Sequence, residues 1–367
     1  MKKHFRPIVV FVILASTMLA CSSSFIKVVG TPLPSPIQGN SQNEAVTDKP
    51  SSLLPRTFYY LADGQVFRME RDGKTVTQIT HERVNVTDYD VSVVDGSVAY
   101  VVNNQLFLVN ADGSNRHLLV DGGHDPVFSL DGETLAYAHH GLSLYNVATS
   151  VSKLVLQDEF YRPEKYSPDG VKLLMTISVP NTDATHDVIY YPATNSVVRF
   201  NSADGAFFCC GDEEWTQDGL SLYAANPTVG MLSPGLWRVD ATSGNVTTLL
   251  LTDAGGGNFN LADEPYLAPG GQLYFFFASA PAGSDGMTPL QMVHSAPDGV
   301  TGRAILRPET FASLNEALWA PDASFVITAK APADTIYAGG VIELYYTDST
   351  KGVISLLPFG QQMKWGP

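Results

Sequence analysis

Carboxylates recur at matching places along this chain. Asp125, Asp212, Glu264 and Glu316 each stand three residues before the residue that opens a short repeated motif, and Asp90, Glu164 and Glu213 stand one position closer. Acids that converge in this way hold a hard cation such as Ca2+, or draw in a basic segment of a partner. The plainer use of such side chains is to accept hydrogen bonds from backbone N–H groups of a neighbouring repeat. Cys209 and Cys210 are a second unusual feature, in the run Phe207-Phe-Cys-Cys-Gly-Asp-Glu-Glu-Trp215. Exported cysteines meet an oxidising compartment, so the pair reads as a vicinal disulfide, as two buried thiols or as part of a metal site. Adjacent Cα atoms are only ~3.8 Å apart, so a disulfide ring between them would be strained.

Beyond the leader, which holds His4, histidines stand at 81, 117, 124, 139, 140, 186 and 294. His139-His140 reads as a solvated pair on a short loop, and His124, His139 and His186 are the trio that folding could bring together. G-x-S-x-G, H-E-x-x-H, C-x-x-C and phosphate-loop patterns are absent, so no catalytic residue is assigned. Ca2+ is the one cofactor the acids suit.

These residues sit in a repeat. Phe128-Ser-Leu-Asp-Gly132, Tyr166-Ser-Pro-Asp-Gly170, Trp215-Thr-Gln-Asp-Gly219, Leu267-Ala-Pro-Gly-Gly271 and Trp319-Ala-Pro-Asp-Ala323 are copies, with Ser92-Val-Val-Asp-Gly96 a weaker one. Their last residues are separated by 36, 38, 49, 52 and 52 residues. Pro-Asp-Gly presets one φ, supplies a side-chain acceptor and ends on a residue that tolerates positive φ, which makes a tight turn. Short β-rich runs follow each copy. Four short strands per repeat at this period are the pattern of an all-β propeller, whose blades must stack to bury both faces.

The aromatic-Ser-Pro-Asp-Gly core resembles the WD40-like repeat of TolB-type propellers over most of residues 57–367. That resemblance implies innermost strands that carry the motif and line a central channel. It speaks to fold and not to activity. Residues 57–80 hold strand material without a preceding motif, while Met363-Lys-Trp-Gly-Pro367 aligns with Glu164-Lys-Tyr-Ser-Pro168. The spacing therefore predicts seven blades, the first closed by the C-terminal strand, with six as the alternative. On the face that holds the loops between second and third strands, three connections are minimal: Ala62-Asp-Gly64, Asn103-Asn104 and His139-His140-Gly141. The later ones are long, with Met231, Met287 and Tyr337 at apolar tips, and a lopsided face open near His139-His140 suits a ligand.

Lys2, Lys3 and Arg6 precede an apolar run, Ile8 to Ala20, too short to span a bilayer comfortably. Leu19-Ala20-Cys21 resembles a bacterial lipobox, which implies a signal peptide over 1–20 and lipid on Cys21. Residues 21–55, rich in Ser, Pro, Asn and Gln, read as a flexible tether to a propeller over 56–367. The formal charge is −15, and loss of the leader's three cations takes it to −18. Such a chain repels phosphate backbones, which excludes nucleic acid as a partner. The expectation is a monomeric, lipid-anchored, extracytoplasmic propeller on the outer membrane or cell surface that binds or scaffolds an envelope protein, peptide or glycan. The competing expectation is a hydrolase or lyase built from several blades. Mass measurement and thiol titration of the mature protein check two of these points together: an acylated Cys21, and zero or two free thiols at Cys209-Cys210.

Overall fold

Turn chemistry sets the strand layout. The carbonyl of Ser129 accepts from Gly132 N at 2.9 Å, Asp131 accepts from Glu133 N at 3.0 Å, and the Ser129 hydroxyl accepts from Thr134 N at 2.9 Å. Ser167 with Asp169 and Thr216 with Asp218 build the same turn. Gly132, Gly170 and Gly219 hold φ of 70°, 71° and 65°, the left-handed region the motif anticipates. Two of the minimal second-to-third connections are two-residue turns with both residues at positive φ, Asp63 with Gly64 and Asn103 with Asn104. That geometry matches the twist of the strands it joins.

The computed structural model describes residues 52–157, 160–178, 185–202, 212–227, 234–281, 288–331 and 338–367, and these contain strands but no helix. The described residues belong to one unit, Lys49–Pro367. Three four-stranded antiparallel sheets come first, beginning with inner strands Val86–Val91, His124–Phe128 and Phe160–Tyr166. Two five-stranded sheets follow, with inner strands Asp212–Trp215 and Asn258–Leu267. In the first of these, Asn201–Ser202 adds in parallel to the outer strand Asn245–Leu250.

The last sheet has seven strands and joins the two ends of the unit. Leu314–Trp319, Phe325–Lys330 and Gly340–Tyr346 lead to the long strand Ile354–Trp365. Its first half pairs with the strand before it, Gly340 opposite Gly360 and Leu344 opposite Ile354. Its second half pairs with the N-terminal strand, Phe58 opposite Trp365 and Leu61 opposite Gln361.

Apolar cores lie between successive sets of strands. Tyr59, Val66 and Ile79 pack with Val86, Tyr89 and Tyr100, and Ala99 and Leu106 pack with Phe128 and Leu135. Leu174 and Ile189 meet Trp215 and Leu222, and Phe276 and Met292 meet Trp319 and Val326. Phe58 and Tyr60 pack with Phe325, Ile327 and Leu344, so residues from near both chain ends share a core.

Removing residues 361–367 strips the N-terminal strand of its inner partner and unseats Trp365 from Phe58 and Phe325. The expected result is a large fall in the melting temperature of the whole unit. A truncated protein that melts with the full-length chain contradicts this role for the last strand.

Candidate functional site

The inner strands converge on a channel. A cavity of about 480 Å3 shares Glu164 and Lys364 with a second of about 380 Å3, and shares Glu264 and Lys364 with a third of about 240 Å3. Residues from the inner strand of every sheet line them. Most inner strands shift register close to an acid, as between His124 and Val127, Pro163 and Lys165, and Asp263 and Tyr266. A bulge of this kind inserts one residue and re-aims its side chain. Asp125, Glu264 and Gln362 sit at these points with φ of 48°, 49° and 51°, unusual for residues with a Cβ.

The acids singled out in the sequence divide into two groups. Asp90, Glu264 and Glu316 are committed to the next inner strand. Asp90 accepts from Phe128 N at 2.6 Å, and Glu264 accepts from Ala317 N at 2.6 Å. Glu316 accepts from Gln362 N at 2.8 Å and from Met363 N at 2.9 Å. Trp319 and Trp365 reciprocate, their indole N–H groups donating to the Glu264 and Trp319 carbonyls at 2.9 Å each. These three carboxylates do the plainer of the two jobs the sequence left open.

The others meet fewer donors. Asp125 Oδ2 lies 2.6 Å from His124 Nδ1, and its Oδ1 lies 3.6 Å from Arg162 Nε. Among the described residues Glu164 accepts only from the Thr176 hydroxyl at 3.2 Å; partial burial, in a side chain that keeps solvent contact, pushes its carboxyl up to about 7, with Asp125 adding to the rise. Burial drives Glu213 well above the usual carboxylate range, and Asp187, Asp212 and Glu164 push it further. Asp263 is raised by burial, then by the charge of Asp212 and a hydrogen bond to it. Lys165 and Lys364 are the fixed counter-charges, Lys165 2.5 Å from Glu214 Oε2 and Lys364 3.0 Å from Asp90 Oδ1. Burial pulls both ammonium groups down, but the neighbouring carboxylates outweigh it and hold them protonated.

Sequence spacing missed Asp88, Asp187, Asp263 and the two lysines. Val91 pairs with Val98 as Phe128 pairs with Leu135, so Asp88, and not Asp90, occupies the place of Asp125. The extra residue in Ser92-Val-Val-Asp-Gly96 hid that register. Burial lifts Asp88 to about 6. Asp187 comes from a third strand, opposite Thr176, where no motif points. His139 and His140 lie together, ring centres 4.5 Å apart. Burial, then the charges of His140 and His124, lowers the His139 pKa, so His124 and His139 do draw near each other. Among the described residues no cluster of three or more His, Cys, Asp or Glu is spaced to hold a metal ion. Cys21, Cys209, Cys210, Met231, Met287 and Tyr337 lie outside the described residues.

A carboxyl whose pKa is raised on folding binds its proton more tightly in the folded chain. Its stabilisation is complete below the unfolded value and is lost as pH climbs through the folded value, at about 1.4 kcal/mol per group and pH unit. Buried Asp187 and half-buried Asp88, both at about 6, place that loss between weakly acidic and neutral pH, while solvent screens the share of exposed Glu164. The melting temperature is therefore expected to fall from pH 5 to pH 8, and Asp187→Asn should flatten the fall. A melting temperature that rises over this interval contradicts the assignment.

No family model and no curated protein matches this chain. Solved structures do. An oligogalacturonate lyase from Vibrio parahaemolyticus is similar at 12% identity and a TM-score of 0.54, over 82% of this chain and 84% of that one. Prolyl oligopeptidase B from Galerina marginata gives 11% identity and a TM-score of 0.55, over 83% of this chain and 49% of that one. TolB from Acinetobacter baumannii gives 16% identity and a TM-score of 0.46, over 84% and 81%. At such identities the likeness concerns fold, and TolB proteins are among the structures this chain resembles, as its repeats imply.

Proposed function

We propose that this chain is an extracytoplasmic binding module, held to the cell envelope by lipid on Cys21, whose channel receives a basic segment of a protein or peptide partner. The observation that carries this reading is the excess of acidic over basic side chains in the channel wall. Nine acids line the three cavities against four bases, Arg56, Arg162, Lys165 and Lys364. Low-dielectric walls focus such an excess and draw in cations. Three of the acids are occupied by backbone, but Asp125, Glu164 and Glu213 keep acceptor capacity toward the cavities.

The fold supports this reading by supplying a rigid wall. We read the seven-stranded sheet as two blades joined through Ile354–Trp365, which gives seven blades in all. Tyr89 OH donates to the Gln362 carbonyl at 2.6 Å on one side of that strand, and Glu316 grips its amides on the other. A glycan ligand, or a hydrolase or lyase, is the second reading. It draws on Glu164, whose carboxyl at about 7 is poised for proton transfer near neutral pH.

Cross-linking the chain in its native envelope, followed by mapping of the linked peptides, tests the proposal. The expected contact is a Lys- or Arg-rich segment whose association weakens as ionic strength rises from about 0.05 M to about 0.5 M. Cys21→Ser should release the chain from the membrane fraction. A salt-insensitive contact through a neutral or acidic segment contradicts the reading, and turnover of a glycan or ester lost in Glu164→Gln replaces it with the second.

A further inference from the structure

Between the third inner strand and the fourth, three carboxylates face one another with too few donors. The Thr176 hydroxyl lies 3.2 Å from Glu164 Oε1 and 3.0 Å from Asp187 Oδ1. A hydroxyl has one proton to donate, so it can serve only one of them at a time. Asp187 is 7% exposed, and its Oδ2 has no hydrogen-bond partner among the described residues. Glu213 Oε1 is in the same position. Buried acceptors left in this state cost free energy, and native proteins rarely keep them without a use.

The chain's own cations do not fill the gap at the orphaned oxygens, although Arg162 acts on Glu164. Lys165 Nζ is 2.5 Å from Glu214 Oε2 and 3.1 Å from the Glu213 carbonyl, so it serves Glu213 through its backbone and not its carboxylate. A proton shared between two of the carboxyls would satisfy one pair of oxygens and leave the third carboxyl short of a donor. The spacing also does not suit a directly coordinated metal. A cation that carries several N–H donors of its own would serve all of these oxygens at once. Glu164 and Glu213 both line the 480 Å3 cavity, so such a group has a route in.

We propose that Glu164, Asp187 and Glu213 form a receiving pocket for a primary ammonium or guanidinium group, carried on a lysine or arginine side chain of a ligand that enters the channel. The pocket rests on the reading of the channel as a site for basic segments, and it fixes where in that channel one cationic head group is seated. An ammonium has three donors and a guanidinium five, enough to serve both orphaned oxygens and Glu164 together. The side chain's methylenes would lie along the channel wall while its head group is desolvated among the acids.

Calorimetric titration of the full-length protein with pentalysine, and with pentalysine acetylated on every side chain, tests the pocket near neutral pH. The expected result is binding of pentalysine alone, weakened about tenfold or more in Asp187→Asn and in Glu213→Gln, the loss of one charge-assisted hydrogen bond. Glu133→Gln, which removes an exposed acid outside the channel, should leave affinity unchanged. Melting curves of the variants report that they are folded. Unaltered binding in both channel variants overturns the pocket and leaves the acidic channel standing. Equal binding of the acetylated peptide overturns the ammonium assignment. No binding of pentalysine by the unmodified protein overturns the pocket and the channel reading together.

Discussion

The structure depends on a carboxylate of one inner strand gripping the backbone amides of the next. Glu316 holds Gln362 N and Met363 N, Glu264 holds Ala317 N, and Asp90 holds Phe128 N. Neighbouring inner strands share no ladder at these points, so their amides would otherwise face a channel without partners. A charged acceptor in that place contributes about 1.5–3 kcal/mol, more than a neutral one. Where Trp319 and Trp365 return a hydrogen bond, the junction is fixed from both strands. The apolar cores behind these clasps do the bulk of the stabilising, but the clasps set how the sheets meet.

That device gathers acids around one axis, and the gathering has a consequence. Where the amides are not offered, the same carboxylates crowd each other in a low dielectric. Asp187, Glu213 and Asp212 are linked in this way, Asp263 and Glu264 join them despite the amides they hold, and among the described residues Lys165 opposes the group. The molecule holds protons to tolerate this, which ties its stability to pH. Sites that bind ligands commonly carry such unresolved electrostatics, because the ligand resolves them.

Much of this architecture could be read from residue order. Asp-Gly turns, two-residue connections and the kinship of Met363-Lys-Trp with Glu164-Lys-Tyr are local chemistry, and local chemistry survives folding. The acids were harder to place. The extra residue in Ser92-Val-Val-Asp-Gly96 shifts the count, so counting back from the motif placed Asp90 in the ring where Asp88 stands. Asp187 reaches the cluster from a third strand, and nothing in a one-dimensional pattern marks which third-strand residue faces the next sheet. Whether an acid clasps or stays open depends on the neighbouring amide, a fact of packing and not of sequence.

The two kinds of acid make opposite contributions to stability, and this is the central point. Melting temperatures of Glu316→Gln and Glu213→Gln at neutral pH, in the absence of any ligand, measure it directly. Glu316→Gln turns an amide group toward a backbone N–H that needs an acceptor, and should lower the melting temperature. Glu213→Gln removes a crowded carboxyl with an orphaned oxygen, and should raise it. Two shifts of the same sign would contradict the division of the channel into clasping and receiving carboxylates.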